Sequence, residues 1–414
     1  MDYAKDTRLG TESIPKLMLQ LAVPSVIAQL INVLYNIVDR IYIGRIPEIG
    51  ATALTGVGVT FPIITLVSAF SSFMGAGGAP LAAISLGKGD RKRAENILGN
   101  TFSMLILFAA ALTVIFLIFK EPLLYLFGAS ENTITYSLQY ITIYLYGTIF
   151  VQLTLGLNPF ISSQGQAKTA MLSVLIGAVI NIVLDPIFIF VFGMGVRGAA
   201  YATVISQAVS AVWVVRFLCS RSSSIRIRRQ NLRISGRIVG SIAALGVSPF
   251  IMQSTESAIT IVLNHGLQSY GGDLYVGSMT IMQSVLQLLS VPISGFTQGV
   301  QPIISYNFGA QKFDRVKEAA RYLIGTTFLI SFGFTLTTIC FPGIYGSLFT
   351  SDAGLLNLVK QILPVYMFGM LIFGLQNGCQ SVFLGLGQAK ISVFIALLRK
   401  VFLLIPLAII LPRF

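Results

Sequence analysis

The chain is a series of long apolar stretches separated by short polar segments. A membrane-spanning helix needs about 20 predominantly apolar residues, and eleven stretches of this sequence are long enough. They cover approximately residues 15–43, 51–80, 96–119, 135–157, 169–192, 198–219, 238–267, 275–305, 320–341, 359–385 and 391–411. The pattern predicts an all-α integral membrane protein that crosses the bilayer many times.

Composition supports this prediction. Of the 414 residues, 55% are hydrophobic and 10% are charged, and the mean hydropathy is +0.81. A soluble domain carries about 25% charged residues, so this chain cannot cover itself with a polar surface and lipid must cover it instead. The three cysteines, Cys219, Cys340 and Cys379, lie far apart and fit neither a disulfide framework nor a metal-binding spacing.

The net charge of +13 comes mostly from basic residues on one side of the predicted membrane spans. If alternate loops lie on opposite sides of the membrane, 20 Lys and Arg residues lie on the side of the N-terminus and 6 on the other. Basic loops stay in the cytoplasm, so we expect a cytoplasmic N-terminus and a multi-pass protein of a bacterial cytoplasmic (inner) membrane. The arginine-rich stretch 221–237 is then a cytoplasmic loop beside anionic lipid, and no nucleic-acid partner is expected.

The sequence repeats itself at an interval of about 222 residues. Gly-Gln-Ala-Lys occurs at Gly165–Lys168 and again at Gly387–Lys390. Pro24 in the first span has a counterpart in Pro249 of the seventh. Such a repeat is typical of transporters built from two parallel halves.

The repeat predicts two pseudo-symmetric six-helix bundles. We expect an N-terminal lobe at 1–222 and a C-terminal lobe at 223–414, with a basic linker that begins near residue 220. The counterpart of the sixth span would fall beyond Phe414. The expected arrangement of this chain is therefore 6 + 5 helices, with a truncated C-terminal lobe that lacks the twelfth helix.

Ionisable side chains inside a membrane are costly and usually functional. The first span carries four polar residues in steps of three, four and three, which place them on one helical face: Gln29, Asn32, Asn36 and Asp39. Tyr35 lies beside that face. Asp39 could instead pair with Arg40, although adjacent helical residues point about 100° apart.

The fifth span carries a second acidic position. Asn181 and Asp185 are four residues apart and precede Pro186. Together with the first span, this helix could present two carboxylates to one cavity. The alternatives for Asp185 are a salt bridge to a basic residue or a polar contact that relieves the break at Pro186.

The C-terminal half is poorer in acidic residues. Its one carboxylate deep in a span is Glu256, while Gln283 and Gln287 share a face of the eighth span. These residues could line a cavity, and the two glutamines could equally serve helix packing. Arg399 and Lys400 could face a cavity or reach towards the membrane interface.

Other motifs in the chain do not indicate enzyme chemistry. Gly193–Gly198 fits the spacing of a dinucleotide-binding loop, but full membrane spans flank it on both sides. His265 is the single histidine of the chain. We therefore predict no catalytic residues, no metal site and no cofactor apart from a coupling ion.

Taken together, these residues resemble the multidrug and toxic compound extrusion (MATE) family. The resemblance covers the whole chain and is carried by three elements: Val38-Asp39 followed by Gly44, the glycine-rich turn at 193–200, and Asn181 with Asp185-Pro186. It points to the bacterial branch of MepA-type and DNA-damage-inducible exporters.

The resemblance implies a secondary active multidrug efflux antiporter. Such a protein exports cationic, amphipathic compounds by alternating access while H⁺ or Na⁺ enters. The family's N-lobe acids match Asp39 and Asp185, and its neighbouring polar residues match Asn181, Tyr35 and Thr203. Branches with a sodium site in the C-terminal half use a span-7 glutamate, from which Glu256 is displaced by about one residue.

Two other functions stay open at this point. A lipid-linked oligosaccharide flippase of the same superfamily would need a cationic cavity for its pyrophosphate substrate. A channel or a non-transporting membrane scaffold would not need paired acids inside the membrane. For the antiporter, the expected partners are small cationic organic substrates and membrane lipids, and the expected state is a monomer.

Overall fold

The structure is a computed structural model that describes residues 8–350 and 352–410, without the side chains of 256–274, 276, 277, 400, 405, 408 and 409. All regular secondary structure in these residues is helical. In the first half of the chain the helices are α1 (Ile14–Gly44), α2 (Gly50–Val59), α3 (Phe61–Gly87), α4 (Arg91–Leu126), α5 (Ile134–Tyr146), α6 (Thr148–Ser162), α7 (Ala167–Pro186) and α8 (Val196–Cys219). In the second half they are α9 (Gly236–Gly309), α10 (Phe313–Cys340), α11 (Pro342–Ser347), α12 (Ala353–Phe368), α13 (Phe373–Gly385), α14 (Ala389–Leu397) and α15 (Ile405–Ile410).

The helices are those of a membrane protein. Nine helical segments among the described residues are long and apolar enough to cross a bilayer, and α5 with α6, which meet at a bend of 59°, make a tenth. The predicted span at 391–411 consists, over its described part, of α14, the π-helical segment Leu398–Leu404 and α15. The predicted fold class, an all-α membrane protein of two bundles, is confirmed.

The outer surface of the bundle is apolar. Leu126, Val191 and Val365 are each about three-quarters exposed, at 75%, 74% and 75%. Side chains of this kind are stable in hydrocarbon and unfavourable in water. Lipid therefore covers them, as the composition requires.

Helix α9 contains the seventh and eighth predicted spans. A Cβ atom added to Gly246 would lie 1.8 Å from the carbonyl oxygen of Phe73, and one added to Gly309 would lie 2.0 Å from that of Ile84. At 1.5 Å per residue, Gly246 and Gly309 would be about 95 Å apart on a straight helix, whereas Phe73 and Ile84 are only about 17 Å apart on α3. The backbone of α9 therefore turns back on itself between these two contacts.

The two halves of the chain touch backbone to backbone where α3 meets α9. Four glycines make these contacts, and we call them the glycine seam: Gly77, Gly87, Gly246 and Gly309. A Cβ on Gly87 would lie 2.0 Å from the carbonyl oxygen of Tyr306, so no side chain fits there. Just as small residues let membrane helices approach closely, the seam brings the halves together on the side of the bundle that carries the N-terminus.

The N-terminal segment also joins the two halves on this side of the bundle, which we call the closed face. Arg315 at the start of α10 donates hydrogen bonds to the carbonyl oxygens of Leu9 (3.2 Å) and Glu12 (2.6 Å). Asn307 also donates to Leu9, and Lys312 donates to Gly10, both at 2.8 Å. The first residues of the chain are thereby attached to the second half.

The linker between α8 and α9 is attached to the first half. The buried side-chain oxygen of Gln164 accepts hydrogen bonds from Ser223 Oγ (3.0 Å), Ser224 N (2.7 Å) and Ile225 N (3.3 Å). Further along, Arg228 forms an ion pair of 3.3 Å with Glu95. The basic linker therefore follows a defined path over the N-terminal half.

Candidate functional site

A cavity of about 490 Å³ lies mainly within the N-terminal half, and residues of α9 complete its wall from the second half. Helix α1 provides one wall, and it contributes its whole polar face: Gln29, Asn32, Tyr35, Asn36 and Asp39. The face exists because these residues recur at helical spacing, so α1 turns polar groups to the cavity and apolar groups such as Leu34, 59% exposed, to the outside.

Helix α7 places the second carboxyl group of the site. Asp185 and Asn181 are buried, with exposures of 0% and 1%. Asn181 Nδ2 donates a hydrogen bond of 3.3 Å to Asp185 Oδ1. Pro186 ends α7 directly after the acid because it has no N–H to donate, and the π-helical segment Ile187–Val191 follows.

The carboxyl groups of Asp39 and Asp185 interact directly across the contact between α1 and α7. Asp39 Oδ1 and Asp185 Oδ2 are buried and have no hydrogen-bond donor among the described residues. Two neighbouring carboxylates repel each other when both are ionised. A proton shared between them, or a cation held by both, would satisfy the unpartnered oxygens.

Aromatic residues that the sequence did not single out complete this end of the cavity. Tyr140 and Tyr144 of α5 line it, and their rings are stacked with centroids 6.4 Å apart and planes at 15°. Tyr140 interacts with Asp39 and with Thr203 of α8, which also lines the cavity. The four-residue spacing of the tyrosines was a usable signal, but aromatic residues are common in membrane helices.

Arg40 has a different neighbour from the one that its position in the sequence suggests. Its guanidinium group lies over the ring of Phe61, 4.4 Å from the centroid. Among the described residues it forms no salt bridge with Asp39. The alternative in which Arg40 neutralises Asp39 as an ion pair is therefore not what the structure shows.

Three glutamines of α9 line the cavity, and they are not those predicted. Gln253, Gln298 and Gln301 face it, and Gln29 Nε2 donates to Gln298 Oε1 at 3.0 Å, which joins α1 to α9. Gln283 is half-buried and Gln287 is exposed, and neither belongs to the cavity wall.

Three further ionisable residues were predicted in spans of the second half, and of these only Arg399 has a described side chain, which does not line the cavity. The side chains of Glu256 and Lys400 are outside the described residues. Arg399 hydrogen-bonds to Gln376 and lies 5.7 Å from the ring centroid of Phe373. In the described part of the chain, no three His, Cys, Asp or Glu side chains come together as metal ligands.

The family follows from a comparison with known families. The MatE family model matches residues 24–187 and again 249–410. The chain belongs to the MatE family. The two matches begin at Pro24 and Pro249, so they reproduce the internal repeat. Members of this family are transporters and not enzymes, in agreement with the prediction from the sequence.

Curated relatives are similar over most of their length. The chain is 27% identical over 378 residues to multidrug export protein MepA of Staphylococcus haemolyticus, which covers 91% of this chain and 82% of that protein. It is 28% identical over 399 residues to the MepA protein of Staphylococcus saprophyticus, and the match covers 94% of this chain and 85% of that protein.

Solved structures share the fold. One is described as the outward-facing conformation of a multidrug resistance MATE family transporter of the MOP superfamily; its TM-score is 0.90 at 23% identity, over 99% of this chain and 90% of that one. Another, a MOP superfamily transporter from Pyrococcus furiosus described as having a binding pocket of reverse polarity, gives the same values.

Proposed function

We propose that this MatE family member is a secondary active multidrug efflux antiporter. It exports cationic, amphipathic compounds by alternating access, in exchange for H⁺ or Na⁺. The observation that carries the proposal is the pair Asp39 and Asp185, each with a buried oxygen that has no hydrogen-bond partner among the described residues. Asp39 lines the cavity, and Asp185 is buried beside it, outside the cavity wall.

The cavity suits this class of substrate. Its volume of about 490 Å³ falls within the range of about 300–1,000 Å³ that is typical of sites for drug-sized molecules. Its wall combines the carboxyl group of Asp39 and several amides with the rings of Tyr140 and Tyr144, on which an organic cation can stack. Arg40 also lines the cavity, with its guanidinium group over the ring of Phe61. The carboxyl group of Asp39, with Asp185 beside it, would repel an anionic pyrophosphate, which disfavours the flippase function.

Competition for the acid pair provides the coupling. While the pair is ionised and without a coupling ion, an organic cation is attracted to it. When a proton or Na⁺ occupies the space between Asp39 and Asp185, the charge is compensated and the organic cation loses its counter-charge. The two events exclude each other, so each cycle exchanges one cation for the other.

The closed face indicates which state the structure represents. The glycine seam and the hydrogen bonds of Arg315 join the halves on the side that carries the N-terminus. The positive-inside rule places that side in the cytoplasm, so we assign an outward-facing state in the inner membrane of a bacterium. We place the boundary between the lobes at residues 222 and 223 and expect a monomer.

The test is transport by purified protein in liposomes. With a lipophilic fluorescent cation as substrate, we expect uptake or release to follow an imposed proton gradient, or an imposed sodium gradient, and to stop when the corresponding ionophore collapses it. Transport that continues at the same rate without either gradient would exclude antiport. Transport of an anionic dye in place of the cation would exclude the proposed substrate class.

A further inference from the structure

A second concave site lies on the outer surface of the N-terminal half. It is a groove of about 600 Å³ between α5 and α8, on the side of the bundle opposite the N-terminus. It lies beside the 59° bend between α5 and α6. A Cβ added to Gly147 at this bend would lie 2.6 Å from Cγ2 of Val204, so the backbone packs closely against that side chain. The side chain of Tyr146 is turned outwards and is 68% exposed.

Two basic side chains lie at the groove without a carboxylate partner among the described residues. Arg197 lines it, and Lys120 of α4 donates a hydrogen bond of 2.8 Å to Thr142, another lining residue. Neither forms a salt bridge with an acid in the described part of the chain. Arg197 also lies in the first turn of α8, where the unpaired N–H groups already create a positive potential. This location therefore favours an anion.

The groove combines polar and apolar residues along its length. Thr135, Gln139 and Thr142 of α5 provide hydrogen-bonding groups, and Leu138 and Ile143 provide apolar surface beside them. Thr135 and Tyr146 are about 17 Å apart along the helix. A groove of this length with both kinds of residue can hold a polar headgroup and the first part of an acyl chain.

We propose that this groove binds an anionic phospholipid from the leaflet opposite the N-terminus. The phosphodiester lies between Arg197 and Lys120, because two basic side chains without a carboxylate partner attract its negative charge. An acyl chain follows α5 to the bend at Gly147, and the exposed ring of Tyr146 covers it from the side.

The position of the groove connects lipid binding to the transport cavity. Helix α5 turns Tyr140 and Tyr144 to the cavity and Gln139 and Thr142 to the groove. One layer of helix thus separates the bound headgroup from the wall beside Asp39. The lipid stabilises the bent span that holds both tyrosines.

The experiment compares bound lipids on the whole protein by native mass spectrometry. Wild-type protein in detergent is given equal amounts of phosphatidylglycerol and phosphatidylcholine. We expect preferential retention of phosphatidylglycerol, and a loss of about fivefold in that preference for Arg197→Gln and for Lys120→Gln. Lys360→Gln, which removes an exposed lysine from α12, is the matched control and should keep the wild-type preference.

Several outcomes would overturn the proposal. Equal retention of the two lipids by wild type would do so, and this result needs no variant to fold. Unchanged preference in Arg197→Gln, or an equal loss in Lys360→Gln, would do so as well. Arg197→Lys keeps the charge and should keep the preference, which separates loss of the charge from loss of the fold.

Discussion

Asp39 of α1 and Asp185 of α7 bring two carboxyl groups into contact although 146 positions separate them in the sequence. Each acid has a buried oxygen that no donor in the described part of the chain satisfies. Isolated in the membrane, such a pair is unfavourable unless a cation joins it. This dependence on a third, mobile charge is what we expect of a coupling site.

Replacing either acid should abolish export. In Asp39→Asn and Asp185→Asn an amide donor can satisfy the facing oxygen permanently, so the pair no longer needs a cation. We expect a fall in cation efflux of about tenfold or more, which corresponds to about 1.4 kcal/mol, with normal amounts of protein in the membrane. Asp314→Asn, an exposed acid on α10, is the control. Wild-type efflux by both Asp39→Asn and Asp185→Asn would contradict the coupling role.

The glycine seam should not tolerate a methyl group. Gly246→Ala forces a carbon against the carbonyl oxygen of Phe73, and overpacking of this kind costs about 1–3 kcal/mol. We expect a lower apparent melting temperature in detergent. Gly240→Ala is the matched control on the same helix, because its Cβ would meet no atom within 4 Å. Equal melting temperatures for the two variants would show that the seam is not closed in the isolated protein.

The linker should become accessible when its attachment is removed. Gln164→Ala deletes the oxygen that accepts bonds from Ser223, Ser224 and Ile225. We expect faster trypsin cleavage within the arginine-rich segment 221–233, followed by gel electrophoresis. Gln287→Ala removes an exposed glutamine far from the linker and serves as the control. If trypsin cuts both variants at the wild-type rate, these bonds do not hold the linker.

Two glutamines of α9 should differ in their effect on substrate recognition. Gln298→Ala removes a cavity-lining amide and its bond to Gln29, so we expect the apparent KM for organic cations to change by about fivefold, equivalent to about 1 kcal/mol for one hydrogen bond. Gln283→Ala lies outside the cavity wall and should leave the KM unchanged. The reverse result would favour the assignment made from the sequence.

The polar face of α1 could be predicted from the sequence because helical periodicity alone determines it. Helical periodicity was not sufficient to predict which glutamines of α9 line the cavity. Gln287 and Gln298 are eleven residues apart, which is close to three full turns, so they lie on one stripe. Periodicity identifies the stripe but not the depth at which the cavity meets it.

The contacts between residues that are far apart in the chain could not be predicted at all. The tyrosines at 140 and 144 reach the cavity because α5 packs beside α8, and the contact of Gly246 with Phe73 joins residues far apart in the chain. Local propensity contains no information about such pairs. The internal repeat predicted two equivalent halves, and only the structure shows which surfaces of those halves meet.

The seam along α3 and α9 has a consequence for how such a protein can evolve. Main-chain atoms on one side and bare glycine on the other make the contact, so its geometry does not depend on the identity of nearby side chains. Substitutions at the cavity positions Gln298 or Tyr144 can then accumulate while the closure of the halves is inherited unchanged. A lineage could acquire resistance to a new compound through such a substitution without rebuilding the machinery that moves it.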